Sequence, residues 1–229
     1  MCIRDSIKAG ATVVNIADTV GYAVPEEFGA LIASLRTRIP ALDRVTVSVH
    51  CHNDLGLASA NTLAAIRHGA DQAEVTVNGI GERAGNAALE EVVMGLAVRP
   101  DYYGAVTNIV STQIMPVSRL VRKMMNIPVQ PNKAITGANA FAHSSGIHQD
   151  GILKSRRSYE LIAPESVGAT GHQLVLTARS GRHAVRHVLA MRGIELAPDD
   201  FEKFFQRFIQ RADSVKEVPA EELCRLAYR

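Results

Sequence analysis

The sequence has few cysteines and no apolar run long enough to cross a bilayer. Its three cysteines, Cys2, Cys51 and Cys224, lie far apart and form no C-x-x-C pair, which argues against a disulfide framework or a structural zinc site. No apolar stretch approaches the ~20 residues of a membrane span, and the N-terminus lacks the basic-then-apolar order of a secretory signal. We therefore expect a cytoplasmic protein in a reducing compartment.

Long blocks of like charge are also missing. The formal net charge is +2, and the charged residues of both signs are interspersed. No run could track a phosphate backbone or an anionic membrane surface, so neither nucleic acid nor membrane is an expected partner. With 229 residues and 47% hydrophobic composition, the chain can bury a core as one large or two small domains.

Three segments repeat one plan, in which a β-branched run is followed by a polar loop and then by a helical pattern. Pro25 suits the first turn of the first helix, where its missing N–H is not needed. The predicted strands are residues 12–16, 45–49 and 73–77, and the predicted helices are residues 25–38, a segment ending at Gly69, and residues 87–98. The pattern predicts three β/α units.

The predicted strands are mostly apolar, which favours a parallel sheet covered on both faces. The spacing of the units fits either a TIM barrel or a doubly wound sheet, and both place active sites at the C-terminal ends of the strands. Three units cannot close an eight-stranded barrel, so we expect further strands upstream. Beyond Pro100 the pattern becomes mainly helical, which predicts two domains, residues 1–100 and 101–229.

The most informative segment is His50-Cys51-His52. Residues two apart on an extended backbone point to the same side, so both imidazoles face one way while Cys51 faces the other. Such a pair can ligate a metal. The alternative, two histidines that end a strand and contact water, is the commoner meaning of an isolated H-x-H, but this pair ends a strand at the catalytic end of a β/α unit.

A glycine-rich loop, residues 78–86, follows the next strand. It could cradle a phosphate, or it could be a tight turn between strand and helix. Asn86 at its end can offer a carbonyl oxygen to a cation. Two histidines, an asparagine and a carboxylate would suit Mn²⁺, Mg²⁺ or Zn²⁺ in an open coordination sphere.

Four motifs together resemble 2-isopropylmalate synthases, within the wider family of TIM-barrel condensing enzymes and lyases. They are N-I-A-D-T-V-G-Y, H-C-H-N-D-L-G-L-A, N-G-I-G-E-R-A-G-N and S-S-G-I-H-Q-D-G-I-L-K, at residues 15–22, 50–58, 78–86 and 144–154. The resemblance implies the C-terminal part of a TIM (β/α)8 barrel, its last three β/α units, followed by a smaller, mainly helical subdomain.

By the same resemblance, His50, His52 and Asn86 are metal ligands. The family's remaining ligand, an Asp on its first strand, has no counterpart, and Asp5 does not take its place because it precedes a helix end. Thr19 matches the residue that hydrogen-bonds the 2-oxo acid carboxylate, and Asn15 lies on the same strand face. Without the resemblance, Thr19 would be interpreted as a strand residue satisfied by backbone.

Two further residues are implied in proton transfer. His148 matches a histidine that the family's helical subdomain delivers to a neighbouring subunit, so a homodimer with a shared active site is expected. Tyr159 matches a tyrosine with the same task, and a phenol donates or orients a proton more readily than it abstracts one. His143, nearby, is interpreted as structural.

The implied reaction is the metal-dependent condensation of acetyl-CoA with 2-oxoisovalerate, which commits carbon to leucine. Homocitrate and citramalate synthases, which accept other 2-oxo acids, remain alternatives, and so does a non-catalytic module that retains metal-site residues. The preference rests on residues 83–94 and 159–168. We expect the 229-residue chain alone to be an inactive, N-terminally truncated fragment.

Overall fold

A computed structural model describes residues 2–143, 161–169, 173–174, 176–215 and 217–228. By contacts, the chain divides into two compact units. The first comprises residues 1–129 and 134–136, and the second comprises residues 130–133 and 137–229. The two units are described separately.

The first unit is built around a parallel sheet of three strands that lie side by side in chain order, as the repeated β/α plan predicts. Glycines in the left-handed region, Gly10 (φ 101°) and Gly69 (φ 106°), end the segments that lead into the first and third strands. Its elements are α1 (Cys2–Lys8), β1 (Val13–Asp18), α2 (Pro25–Arg38), β2 (Thr46–Cys51), α3 (Ala58–Arg67), β3 (Gln72–Glu74), α4 (Leu89–Val98), α5 (Pro100–Tyr103) and α6 (Ile114–Met125). The helices begin and end close to the predicted positions.

The strands are apolar on one face and mainly polar on the other. On the apolar face, Val49 and Cys51 of β2 are buried with Phe28 and Ile32 of α2, and with residues of α3 and α4. The opposite face carries, from β1 to β3, Asn15, Ala17, Ser48, His50, Gln72 and Glu74. The polar side chains of the sheet, including those that could bind a metal, therefore share the face that turns away from the helices.

The third β/α unit differs from the prediction, since β3 ends at Glu74 rather than at residue 77. A 3-10 turn, Val77–Gly79, follows, with Asn78 in the left-handed region at φ 61°. The Thr76 carbonyl accepts hydrogen bonds from the Gly79 and Leu89 amides. This turn redirects the chain before a longer strand can form.

Helix α6 packs against the turn Val77–Gly79 within the first unit. The Ser118 hydroxyl donates to Asn78 Oδ1 at 2.5 Å, and Asn78 Nδ2 donates to the Ser118 carbonyl at 3.2 Å. Pro116 lies in the first turn, where no N–H is required, so it does not interrupt the helix. By contacts the first unit therefore extends to Val129, beyond the predicted domain boundary at residue 100.

The second unit is mainly helical in its described part, as predicted. Phe201, Phe204 and Phe208 are buried at its centre, on one face of the helix Pro198–Ser214. Its elements are β4 (Ala142–His143), β5 (Gln173–Leu174), α7 (Arg182–Met191), α8 (Pro198–Ser214) and α9 (Ala220–Ala227). Across the described residues of both units, no helix is long and apolar enough to cross a membrane.

Candidate metal centre

His50 and His52 present their imidazoles together at the C-terminal end of β2. Their Nε2 atoms are 3.2 Å apart, and their ring centroids are 5.0 Å apart in an edge-to-face arrangement. Cys51, between them, is fully buried on the helix side, and burial raises the pKa of its thiol to about 11. The predicted alternation is confirmed, and Cys51 stays a neutral thiol that offers no thiolate ligand.

The separation of the two Nε2 atoms fits a shared ion. Metal–imidazole bonds are about 2.0–2.1 Å long, so two nitrogens 3.2 Å apart can both bind one ion. His52 Nδ1 is buried, and the described residues provide no hydrogen-bond partner for it. The backbone of residues 50–52 thus holds the two Nε2 atoms at a separation that one ion could bridge.

Asn86 is brought to the same strand end by the backbone. It forms an isolated antiparallel bridge with His52, and the next amide, that of Ala87, donates to the Cys51 carbonyl at 3.0 Å. Asn86 Nδ2 donates to the Ile80 carbonyl at 3.2 Å. Its Oδ1 is buried and has no partner among the described residues. A buried amide oxygen of this kind suits a cation.

The glycine-rich loop forms a tight turn. The Gly79, Gly85 and Asn86 amides donate to the carbonyls of Thr76, Glu82 and Gly79, so they are not free for an anion. Gly85 lies at φ 89°, and a Cβ there would overlap the Gly79 carbonyl oxygen. A Cβ on Gly81 would overlap the Asn86 amide. The glycines therefore allow the loop to fold against Asn86.

Arg83 Nη1 lies 3.5 Å from Glu82 Oε2, on the preceding residue. Its closer partner is Asp54, in the loop after β2. The hydrogen bond from Arg83 lowers the pKa of the Asp54 carboxyl, and the same bond raises the pKa of Arg83. This partner was missed because it lies 29 positions away in the sequence.

The two predicted substrate-binding residues lie at the sheet edge next to β2. Asn15 is exposed on the polar face of β1, opposite Ser48. Thr19 is also exposed, but β1 ends at Asp18, so Thr19 begins a turn instead of continuing the strand face. The Asp18 carboxylate stabilises that turn by accepting hydrogen bonds from the Tyr22 and Ala23 amides. The roles of Asn15 and Thr19 stay predictions.

One residue of the site was not singled out from the sequence. Glu74, the last residue of β3, places Oε2 3.1 Å from His50 Nδ1. No sequence signal pointed to it, because the predicted third strand, residues 73–77, placed Glu74 near its beginning rather than level with His50. In the described part of the chain, no group of three or more His, Cys, Asp or Glu side chains is arranged for a metal. The assignment of His50, His52 and Asn86 as ligands stays a prediction. His148 and Tyr159 lie outside the described residues.

Two family models match the chain in succession. A model described as HMGL-like matches residues 2–121, more than half of the chain. A model described as homocitrate synthase post-HMGL domain-like matches residues 135–216. The matched regions follow one another in the same order as the two compact units.

Curated relatives cover nearly the whole chain. The 2-isopropylmalate synthase of Geobacillus sp. (strain Y412MC10) is 56% identical over 218 residues, 94% of this chain and 42% of that protein. That of Aquifex aeolicus (strain VF5) is 52% identical over 228 residues, 99% of this chain and 44% of that protein. The chain thus spans less than half the length of these relatives.

Among solved structures, an HMG-CoA lyase from Bacillus subtilis matches with a TM-score of 0.47 and 23% identity, covering 56% of this chain and 42% of that one.

Proposed function

Since the chain belongs to the HMGL-like family, we propose that it supplies the metal-binding part of a 2-isopropylmalate synthase. The proposed reaction joins acetyl-CoA to 2-oxoisovalerate and, with one water, gives 2-isopropylmalate and CoA. Support comes from curated relatives of that name, at 56% and 52% identity over at least 94% of this chain. The match of the second model, after residue 135, extends the family resemblance into the second unit.

The observation that carries the proposal is the set of potential metal-ligand atoms at one strand end. The paired Nε2 atoms of His50 and His52 and the buried Oδ1 of Asn86 are the groups we propose to hold Mn²⁺, Mg²⁺ or Zn²⁺. When bound, such an ion supplies Lewis-acid polarisation of a carbonyl, worth several kcal/mol. The set is neutral, so an additional carboxylate ligand would strengthen its hold on a hard cation.

The remaining proposed roles concern substrate orientation and proton transfer. The Thr19 hydroxyl and the Asn15 amide would hydrogen-bond the carboxylate of the oxo acid. His148 would take a proton from the methyl group of acetyl-CoA, and the resulting enolate would attack the keto carbon. Tyr159 would orient or donate a proton, and water would then cleave the thioester. By family resemblance, His148 would act in a neighbouring subunit of a homodimer.

The competing functions differ in what they require. Homocitrate and citramalate synthases would use the same metal set with another 2-oxo acid, and the names of the relatives argue against them. A non-catalytic module would tolerate loss of the metal donors. The polar face of the sheet, with its two apposed imidazoles, favours a catalytic site over a purely structural one.

The test is an assay of CoA release by the protein that carries these residues, at its natural length. Acetyl-CoA and Mn²⁺ are supplied with 2-oxoisovalerate, with the diacid 2-oxoglutarate or with the smaller pyruvate. We expect release with 2-oxoisovalerate, its loss after chelation, and its loss in His52→Ala. His187→Ala, a histidine change in α7, is the matched control and should stay active. Preference for another oxo acid, or full activity of His52→Ala, would contradict the proposal.

A further inference from the structure

We propose that Glu74 is a positioning residue, which orients His50 and fixes its tautomer for metal binding. This inference rests on the proposed function, because it assumes that His50 is a ligand. The two residues are direct partners across the parallel strands β2 and β3, and Glu74 Oε2 lies 3.1 Å from His50 Nδ1. Both side chains stand on the polar face of the sheet.

The direction of the hydrogen bond decides which nitrogen can bind an ion. A carboxylate only accepts, so His50 must donate through Nδ1–H. In the neutral imidazole, Nε2 then carries the free lone pair, and this is the atom that faces His52 Nε2 at 3.2 Å. Carboxylates in this relation to metal-binding histidines fix the ring and increase its basicity.

The competing interpretation of the contact between Glu74 and His50 is a simple surface ion pair. The side chains are 27% and 45% exposed, and an exposed pair of this kind contributes little to stability. An ion pair would also need a protonated His50, which has no lone pair at Nε2 for an ion. The neutral, Nδ1-donating form satisfies Glu74 and leaves Nε2 available.

Glu74 is poorly placed to be a ligand itself. Its Oε2 contacts Nδ1, whereas the apposed ligand atoms are the Nε2 atoms on the other side of the His50 ring. The carboxylate therefore acts through His50.

The test measures Mn²⁺ affinity by titration calorimetry on the natural-length protein. Glu74→Ala removes the acceptor, and we expect affinity to fall roughly 10–100-fold, the usual cost of losing such an outer partner. Glu74→Gln keeps an acceptor oxygen without the charge and should recover part of the loss. Glu27→Gln is the charge-matched control at an exposed position of α2, and it should bind as wild type.

A second readout follows the His50 ring nitrogens by ¹⁵N NMR in the metal-free protein. Wild type should show protonated Nδ1 and unprotonated Nε2, and Glu74→Ala should show a mixture of tautomers. Unchanged affinity and unchanged tautomer in Glu74→Ala, while His50→Ala loses the metal, would overturn the role of Glu74 alone. Unchanged Mn²⁺ binding in both His50→Ala and His52→Ala would overturn the proposed function, and the role of Glu74 with it.

Discussion

Arg83 holds the carboxylate of Asp54 with two parallel hydrogen bonds. Nε donates to Oδ1 at 2.7 Å and Nη2 donates to Oδ2 at 3.0 Å. Nη2 also donates to the Thr19 carbonyl at 2.9 Å. One guanidinium therefore joins the loops that follow β1, β2 and β3, and these loops carry Thr19, His52 and Asn86.

We predict that Arg83→Lys loosens the loop that ends at Asn86. A lysine cannot form the planar, two-pronged contact with a carboxylate. Amide hydrogen exchange in residues 79–86 should become faster, while exchange in α2 stays as in wild type. Arg99→Lys, which disturbs the remote pair with Asp101, is the control. Wild-type protection of residues 79–86 in Arg83→Lys would show that the contact does not restrain the loop.

We predict that His148→Ala slows condensation in the natural-length protein without weakening Mn²⁺ binding. A general base contributes roughly 10²–10⁴-fold to a rate, so turnover should fall within that range. The measurements are steady-state CoA release and Mn²⁺ calorimetry. A parallel loss of metal would mean that His148 is a ligand or a structural residue.

The proposed sharing of the active site between two subunits makes a separate prediction. Mixed dimers of His148→Ala and His52→Ala subunits can contain one site in which both residues are intact. We therefore expect partial recovery of CoA release after the two inactive proteins are dissociated and reassembled together. The same activity before and after mixing would place both residues in a site made by one chain.

We predict that the 229-residue chain, expressed alone, does not catalyse condensation. β2 pairs with a strand on both sides, but no described strand pairs with the other edge of β1. An open parallel edge exposes backbone groups and Val13, which is 46% exposed. CoA release should be undetectable with acetyl-CoA, 2-oxoisovalerate and Mn²⁺, and turnover by this chain would show that three strands suffice.

The second unit should lose one stabilising contact in acid. Arg182 of α7 donates hydrogen bonds to Glu202 of α8, and this lowers the pKa of the Glu202 carboxyl. Because the pKa of Glu202 is lower in the folded state, the contact stabilises the fold at pH values above the pKa that Glu202 has in the unfolded chain. The contribution disappears as the pH falls through the folded value.

Glu202→Gln should therefore unfold at lower denaturant concentration than wild type at neutral pH, and the difference should vanish in acid. Urea titrations across the pH range measure this. The Arg182 guanidinium also stacks on Phe205, 4.6 Å from the ring centroid, and the substitution leaves that contact in place. A difference that persisted in acid would trace the effect to packing rather than to charge.

Local sequence patterns predicted most of the fold. The β-branched runs, Pro25 and the glycines that end helices depend on near neighbours, so β1, α2 and the first two β/α units lie close to their predicted positions. The shortened β3 depends on Asn78, whose conformation is stabilised by Ser118, 40 positions away. Such a distant contact leaves no periodic signal in the sequence.

The same distinction applies to the site. Strand alternation was sufficient to bring the imidazoles of His50 and His52 together, and the motifs identified the family that the comparisons confirm. Register was needed to place Glu74 opposite His50, and loop geometry was needed to pair Arg83 with Asp54. Neither register nor loop geometry can be obtained from the spacing of residues alone.

The central claim is that His50, His52 and Asn86 hold one divalent ion. The most direct measurement is an anomalous difference map at the manganese edge, from crystals of the natural-length protein grown with Mn²⁺. The claim predicts one peak within bonding distance of the Nε2 atoms of both histidines and of Asn86 Oδ1. A fully occupied peak elsewhere, with none between His50 and His52, would contradict it.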